Sequence, residues 1–185
     1  MNRLLFPLTL FVTIGCGLLA GVFFAFSAFV MEALAHLPPA QGIAAMQSIN
    51  VAAINPLFMG ALFVTALLCL PIALSALATR HEPGAVYLLA GSALYLVGAI
   101  LVTIAFNVPL NDALAATNPV RGADANLWSG YVASWTAWNH VRTAAALAAM
   151  ASFVLALRKH PRRADGKDRV RSRSMELTPR GQGVV

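Results

Sequence analysis

Four long apolar stretches dominate the chain, and a shorter, more polar segment separates each from the next. A hydrocarbon core about 30 Å thick is crossed by roughly 20 residues of helix, so each stretch is long enough to span a bilayer. The predicted spans cover about residues 4–31, 57–77, 85–106 and 132–157. The pattern therefore predicts an all-α fold in which residues 1–157 form a membrane four-helix bundle.

The segment 32–56 has a pattern of its own. Pro38-Pro39 precedes residues 40–50, whose apolar positions favour a short helix lying in the membrane interface. Asn55-Pro56 is typical of the N-cap and first position of the second span. After the third span, we expect the sequence Asn-Val-Pro-Leu-Asn-Asp of residues 107–112 to break the helix, which restarts at Asn111.

Composition and charge narrow the protein class. Apolar residues make up 59% of the chain and charged residues 11%, against about 25% in soluble domains. Nine of the thirteen Lys and Arg residues lie in the tail 158–185, which we predict to be disordered and basic. No soluble domain is left to bind nucleic acid. Arg3, Arg80 and the tail share one side if the spans alternate, so we expect a multi-pass plasma-membrane protein with both termini cytoplasmic.

Polar residues inside or next to the spans gather at the opposite, outer end. Polar groups in a membrane are costly and usually face a bundle interior. At 100° per residue, five side chains of the fourth span cover an arc of about 160°; they are Trp135, Asn139, His140, Arg142 and Thr143. We expect this face to line a cavity shared with the asparagines of the outer segments, which are Asn50, Asn55, Asn107 and Asn111.

Structural explanations stay open for the same residues. An aromatic belt is the alternative for Trp128, Trp135 and Trp138, and helix capping is the alternative for Asn55 and Asn107. Arg142 suits an ion pair with Glu32 or Asp112. Glu32 and His36 are four residues apart, so both face one side of a helix, and His140 is a third candidate ligand. A metal or haem at His36 and His140 is therefore an alternative.

Five motifs resemble the anthrone oxygenase family of small four-span membrane proteins. They occur in order over residues 4–157 and lie at 21–31 (GVFFAFSAFVM), 37–50 (LPPAQGIAAMQSIN), 55–59 (NPLFM), 106–114 (FNVPLNDAL) and 135–143 (WTAWNHVRT). The resemblance implies oxidation of an anthrone to an anthraquinone by dioxygen without a cofactor. An anthrone methylene is acidic enough for a histidine to deprotonate, and the anion can pass an electron to dioxygen.

The resemblance also implies roles for the outer polar residues. His140 becomes the candidate base, and Asn139, Arg142, Asn107 and Asn111 become candidate oxyanion donors. Trp135 and Phe26 become stacking surfaces for a planar substrate, Thr143 becomes a candidate substrate-binding residue, and Asn50 and Asn55 position the segment above the pocket.

Two other functions compete with the oxygenase. The first is a non-catalytic membrane protein that binds a lipophilic quinone-like ligand or acts as an accessory subunit. The second is a redox protein with haem or metal. The expected partners are the lipid bilayer, a small aromatic or lipophilic substrate and dioxygen. The spacing Gly17-x-x-x-Gly21 also permits a homo-dimer.

Overall fold

The computed structural model describes residues 4–120 and 124–159, which form helices and connecting turns with no strand among them. We number the helices α1 (Leu5–Ala35), α2 (Pro39–Ala53), α3 (Pro56–Ala78), α4 (Ala85–Ala115) and α5 (Ala125–Arg158). All but α2 are long and apolar enough to cross a membrane, which confirms the four predicted spans and a multi-pass membrane protein. Arg3, Arg121 and the tail from His160 onward lie outside the described residues.

The spans differ in length, and the difference creates a second layer. Helix α3 has 23 residues, whereas α1 and α4 have 31 each and α5 has 34. At 1.5 Å per residue the longer helices exceed α3 by about 12 to 17 Å. The surplus turns of α1, α4 and α5 all lie at the end of the bundle where α3 begins. Helix α2 packs among them and covers the outer end of the bundle.

Two hydrophobic clusters correspond to these layers. The bundle cluster fills the space between the spans, and its largest fully buried side chains include Leu19, Ile72, Tyr95 and Phe153. The outer cluster joins α2 to the surplus turns and includes Met31, Ile43, Leu114 and Trp128. Helices α1 and α5 make the most extensive interhelical contact. A Cβ atom at Gly17 would approach the Met150 sulfur of α5 to 3.0 Å, so this glycine serves packing within the chain.

Helices α1 and α4 contain π-helical segments that the sequence did not predict. They cover Phe26–Val30 in α1 and both Leu94–Leu101 and Thr103–Asn107 in α4. Such wide turns are rare and occur often at functional sites.

The predicted helix break at residues 107–112 is wrong, because α4 continues to Ala115. The backbone N–H of Val108 bonds to the carbonyl of Thr103, five residues earlier. This wide turn directly precedes Pro109, whose ring would collide with the preceding turn of a regular α-helix. The π-helical segment therefore lets the helix pass its proline.

The short outer helix is present as predicted and is somewhat longer, at Pro39–Ala53. A Cβ atom at Gly42 would lie 2.6 Å from the Trp128 indole, so α2 approaches α5 more closely than a side chain at this position would allow. The Nε2 of Gln47 donates to the carbonyls of Leu114 and Thr117 at 2.8 and 2.9 Å. These contacts fasten α2 over the end of α4.

Candidate functional site

A cavity of about 640 Å³ lies below α2, where the two hydrophobic clusters meet. All five helices contribute to its wall, and most of that wall is apolar or aromatic. Its volume is in the range of roughly 300–1,000 Å³ that small-molecule sites occupy. The apolar residues that shape it include Phe23, Phe26, Met46, Met59, Leu62 and Trp135.

A buried arginine is the one cation among the described residues that line this cavity. Arg142 is 6% exposed and lies between two rings, with its guanidinium carbon 4.6 Å from the centroid of Phe23 and 5.0 Å from that of Trp135. Its Nη2 donates to Asn139 at 2.6 Å and its Nη1 donates to Thr103 at 3.3 Å. Its Nε has no partner among the residues that the structure describes.

No carboxylate pairs with Arg142 within the part of the chain that the structure describes. The ion pair with Glu32 or Asp112 that the sequence left open is therefore absent there. Asp112 lines the same cavity but lies on an exposed position of α4. A buried charge without a counter-charge is costly, which makes this arginine unusual as a purely structural residue.

Asn139 holds the arginine in place. Its amide nitrogen donates to the carbonyl of Phe23 and to the hydroxyl of Ser27, both at 2.7 Å. Because both N–H groups donate to α1, the orientation of the amide is fixed, and its oxygen accepts the hydrogen bond from Arg142. Phe23 immediately precedes the π-helical segment of α1 and Ser27 lies inside it, so this irregular turn fixes the amide.

Ser27 and Thr143 extend this network between α1 and α5. The Thr143 hydroxyl donates to the Asn139 carbonyl at 2.8 Å, and it lies 3.3 Å from the Ser27 hydroxyl. Since the proton of Thr143 is used for the carbonyl, Ser27 is the donor between the two hydroxyls. Thr143 belongs to this support and is not among the residues that line the cavity.

Asn107 and Asn111 project from α4 into the same space. The Asn107 amide nitrogen donates to the Trp135 carbonyl at 3.2 Å, whereas its buried oxygen has no partner in the described part of the chain. The Asn111 oxygen accepts from the Tyr131 hydroxyl and from the Trp135 indole, both at 2.9 Å. These bonds fix the Trp135 ring against the cavity, where it lies 5.6 Å from the ring of Phe26.

The two remaining candidate asparagines lie in or next to α2, the helix that covers the cavity, and they make different contacts. Asn50 of α2 lines the cavity. Asn55 caps α3 through the backbone N–H of Phe58 at 2.9 Å and donates to the carbonyl of Ala52 at 2.8 Å. It connects α2 with α3 and is not among the cavity-lining residues.

His140 does not share this cavity, contrary to what its place on the fourth span led us to expect. It is exposed and lines a separate recess of about 450 Å³ with Glu32, Ser27 and Thr136. The reason is angular: Trp135, Asn139 and Arg142 lie within about 60° of one another on α5, and His140 lies about 100° beyond Asn139.

His36 lies next to Glu32 on the exposed end of α1. Its Nδ1 is 2.8 Å from the Glu32 carbonyl, and its Nε2 is 3.8 Å from the Glu32 carboxylate. His36 is not among the residues that line the recess containing His140. In the described residues, no group of three or more His, Cys, Asp and Glu side chains is arranged to hold a metal ion.

Several site residues escaped the sequence analysis. Ser27 and Thr103 sit inside apolar runs and Phe23 lies in the first of the five motifs, yet all three contact the pair of Asn139 and Arg142. The sequence signal that could have identified Ser27 and Thr103 is the presence of their hydroxyl groups within membrane spans. Thr103 also lies four residues before Asn107, on the same face of α4.

Comparisons with known proteins bear on the family alone. Neither the curated proteins nor the solved structures include a significant match to this chain. The family model for anthrone oxygenase matches residues 51–152, which is more than half of the chain. The matched region contains α3, α4 and most of α5, including the buried arginine and its asparagine partner. The chain belongs to the anthrone oxygenase family.

Proposed function

We propose that the protein is a membrane oxygenase that uses dioxygen to oxidise a planar, lipophilic anthrone-like substrate to a quinone without a cofactor. The observation that carries this proposal is Arg142, a buried cation without a carboxylate partner among the described residues, on the wall of a largely apolar cavity. Such a cavity suits an aromatic substrate whose reaction passes through an oxyanion, because a fixed cation stabilises charge strongly where water is excluded.

The proposed reaction consumes one dioxygen for each anthrone. Loss of a proton from the central methylene gives the anthranolate anion, which transfers one electron to dioxygen. The resulting carbon radical and superoxide combine into a peroxide at that carbon, and the peroxide takes up a proton. The second methylene C–H bond then breaks as the O–O bond breaks, so that the products are one quinone and one water.

The cavity residues have distinct roles in this proposal. Arg142, oriented by Asn139, faces the developing negative charge on the substrate oxygen. Trp135 and Phe26 contact the flat faces of the rings. Asn107 and Asn111 contribute polar groups from α4 beside Trp135, to which both are hydrogen-bonded.

A second candidate function is the binding of a quinone-like ligand without turnover. One observation favours it: no histidine lines the cavity within the described residues, so the base predicted from the sequence does not face a bound substrate there. The two functions share one ligand pocket and differ in whether dioxygen is consumed.

The proposal includes a placement in the plasma membrane with both termini cytoplasmic. Arg80 lies in the turn between α3 and α4, at the end of the bundle where α5 finishes and the basic tail begins. Positively charged segments are retained on the cytoplasmic side. The cavity then lies near the outer surface, within reach of lipophilic compounds dissolved in the outer leaflet.

Oxygen consumption with a simple anthrone tests the proposal. Purified protein in neutral-lipid nanodiscs is compared with Arg142→Met, which keeps the side-chain volume and removes the charge, and with Arg80→Met as the matched control outside the cavity. We expect wild type and Arg80→Met to exceed autoxidation and Arg142→Met to fall to the background. Equal rates in all three samples would reject the oxygenase and leave the ligand-binding function.

A further inference from the structure

The missing counter-charge of Arg142 has a chemical consequence. The guanidinium is permanently protonated at neutral pH, and its described neighbours are two rings, an amide oxygen and a hydroxyl. None of these is an anion. Its Nε is buried and has no partner among the described residues, and Arg142 lines the cavity. An anionic oxygen in the cavity, within reach of the guanidinium, would supply the missing counter-charge.

We propose that the cavity binds its ligand as an anion, the ionised form of an acidic aromatic enol or phenol, with the negative oxygen paired to Arg142. This inference rests on the site named in the proposed function, and it adds the ionisation state of the ligand. The O–H bond of the ligand breaks on binding, its electron pair stays on oxygen, and the proton leaves to water at the mouth of the cavity.

This mode of binding removes the need for a base inside the cavity. His140 and Glu32 lie in the separate recess, so neither faces a ligand beside Arg142. A cation in an apolar setting favours the ionised form of a neighbouring acid, and it thereby lowers the pH at which that acid loses its proton. The cavity would thus collect the small fraction of ligand that is already ionised in water.

The other titratable groups near Arg142 do not supply the missing charge. Asp112 of α4 lines the cavity, and Tyr131 of α5 interacts electrostatically with Arg142 while its hydroxyl donates to Asn111. The described cavity-lining residues of α1, α2 and α3 carry no titratable group. Asp112 repels an anion, so it opposes the proposed binding and provides a test of its own.

A coloured phenol that cannot be oxidised separates this inference from the oxygenase. 2-Hydroxyanthraquinone is a planar three-ring phenol whose central ring is already a quinone, and its phenol and phenolate forms absorb at different wavelengths. Its absorbance is titrated with pH in neutral-lipid nanodiscs, with and without the full-length protein. Quenching of the fluorescence of the tryptophans, all three of which lie on α5, reports that the probe is bound.

We expect the bound probe to ionise at a pH about one unit or more below the value in empty nanodiscs, which corresponds to a tenfold or larger preference for the anion. Arg80→Met should keep the shift, and Asp112→Asn should keep or enlarge it. Arg142→Lys should keep most of it, whereas Arg142→Met should lose it. No binding, a shift to higher pH, or a shift that persists in Arg142→Met would overturn the inference.

The two proposals fail separately. A normal shift together with no oxygen consumption would reject the oxygenase and leave anion binding in place. Oxygen consumption that depends on Arg142 without any shift of the probe would reject anion binding and leave the oxygenase.

Discussion

The amide oxygen of Asn139 accepts a 2.6 Å hydrogen bond from Nη2 of Arg142, three residues further along α5. Both N–H groups of this amide are committed to α1, one to the Phe23 carbonyl and one to the Ser27 hydroxyl. The amide cannot rotate without breaking bonds that are buried or half-buried. The orientation of the arginine is therefore set by a neighbouring helix through a single asparagine.

The first prediction concerns Ser27→Ala. The substitution removes the acceptor for one Asn139 N–H and leaves that group buried without a partner, which costs about 1–3 kcal/mol. We expect lower thermal stability and a several-fold smaller preference for the ionised form of a ligand that pairs with Arg142. Ser48→Ala is the control, because the exposed Ser48 hydroxyl bonds within α2, to the carbonyl of Ala44. Thermal unfolding and the pH titration of bound 2-hydroxyanthraquinone measure the two effects; equal behaviour of both variants would contradict the prediction.

The second prediction concerns Gly42→Ala, in the contact between α2 and α5. The new Cβ would lie 2.6 Å from the Trp128 indole, so either the ring or the helix above the cavity must move. Overpacking of this kind typically costs about 1–3 kcal/mol. We expect a lower unfolding midpoint, weaker ligand binding and altered tryptophan fluorescence. Gly60→Ala is the matched control, since a Cβ atom there meets nothing within 4 Å. If stability, ligand binding and fluorescence were unchanged in Gly42→Ala, then α2 and Trp128 would accommodate the added methyl group without loss of stability.

The sequence predicted the features that depend on hydrophobic periodicity and on residues typical of helix ends. Four spans follow from uninterrupted apolar runs, and α2 follows from Pro39 and the apolar spacing after it. The network around Asn139 does not, because it depends on a π-helical segment at Phe26–Val30 that has no signature in composition. The prediction assumed regular α-helices, in which Pro109 would end the helix. It therefore missed that α4 continues beyond this proline.

The position of His140 shows a second limit. Five polar residues on α5 suggested one wet face about 160° wide, but the cavity contacts a stripe of only about 60°. Thr143, next around the helix, bonds to Asn139 and Ser27, and His140 beyond it reaches a different recess. How wide a helix face a cavity contacts depends on how closely the neighbouring helix packs, and the contact of α5 with α1 is not encoded in the spacing of α5 alone.

The third prediction concerns the orientation in the membrane. Val120 is 87% exposed at the end where the cavity lies, and His81 is exposed in the turn at the other end. A thiol at Val120→Cys should react with a membrane-impermeant maleimide in intact cells, and a thiol at His81→Cys only after permeabilisation. Cys16 and Cys69 are fully buried, so the wild-type protein gives the background. The opposite pattern would place the cavity on the cytoplasmic side.

The last prediction concerns His140→Gln. Because His140 lines a recess separate from the cavity, the affinity for 2-hydroxyanthraquinone and its shifted ionisation should equal those of wild type. Oxygen consumption with an anthrone should also stay within about twofold of wild type, since an anion that is already formed at Arg142 needs no imidazole. A comparison of His140→Gln with Arg142→Met distinguishes proton loss favoured by the Arg142 charge from proton transfer to His140.

A rate that falls to the autoxidation background while probe binding stays intact would assign the proton transfer to His140. Ser27 would then be the connection, since its side chain lines the recess of His140 and bonds to the Asn139 amide that faces the cavity. In that case Ser27→Ala should lower the rate together with His140→Gln, and the double variant should be no slower than either single variant, because groups that act in one path are not additive. Independent losses that multiply would instead place the two residues in separate roles.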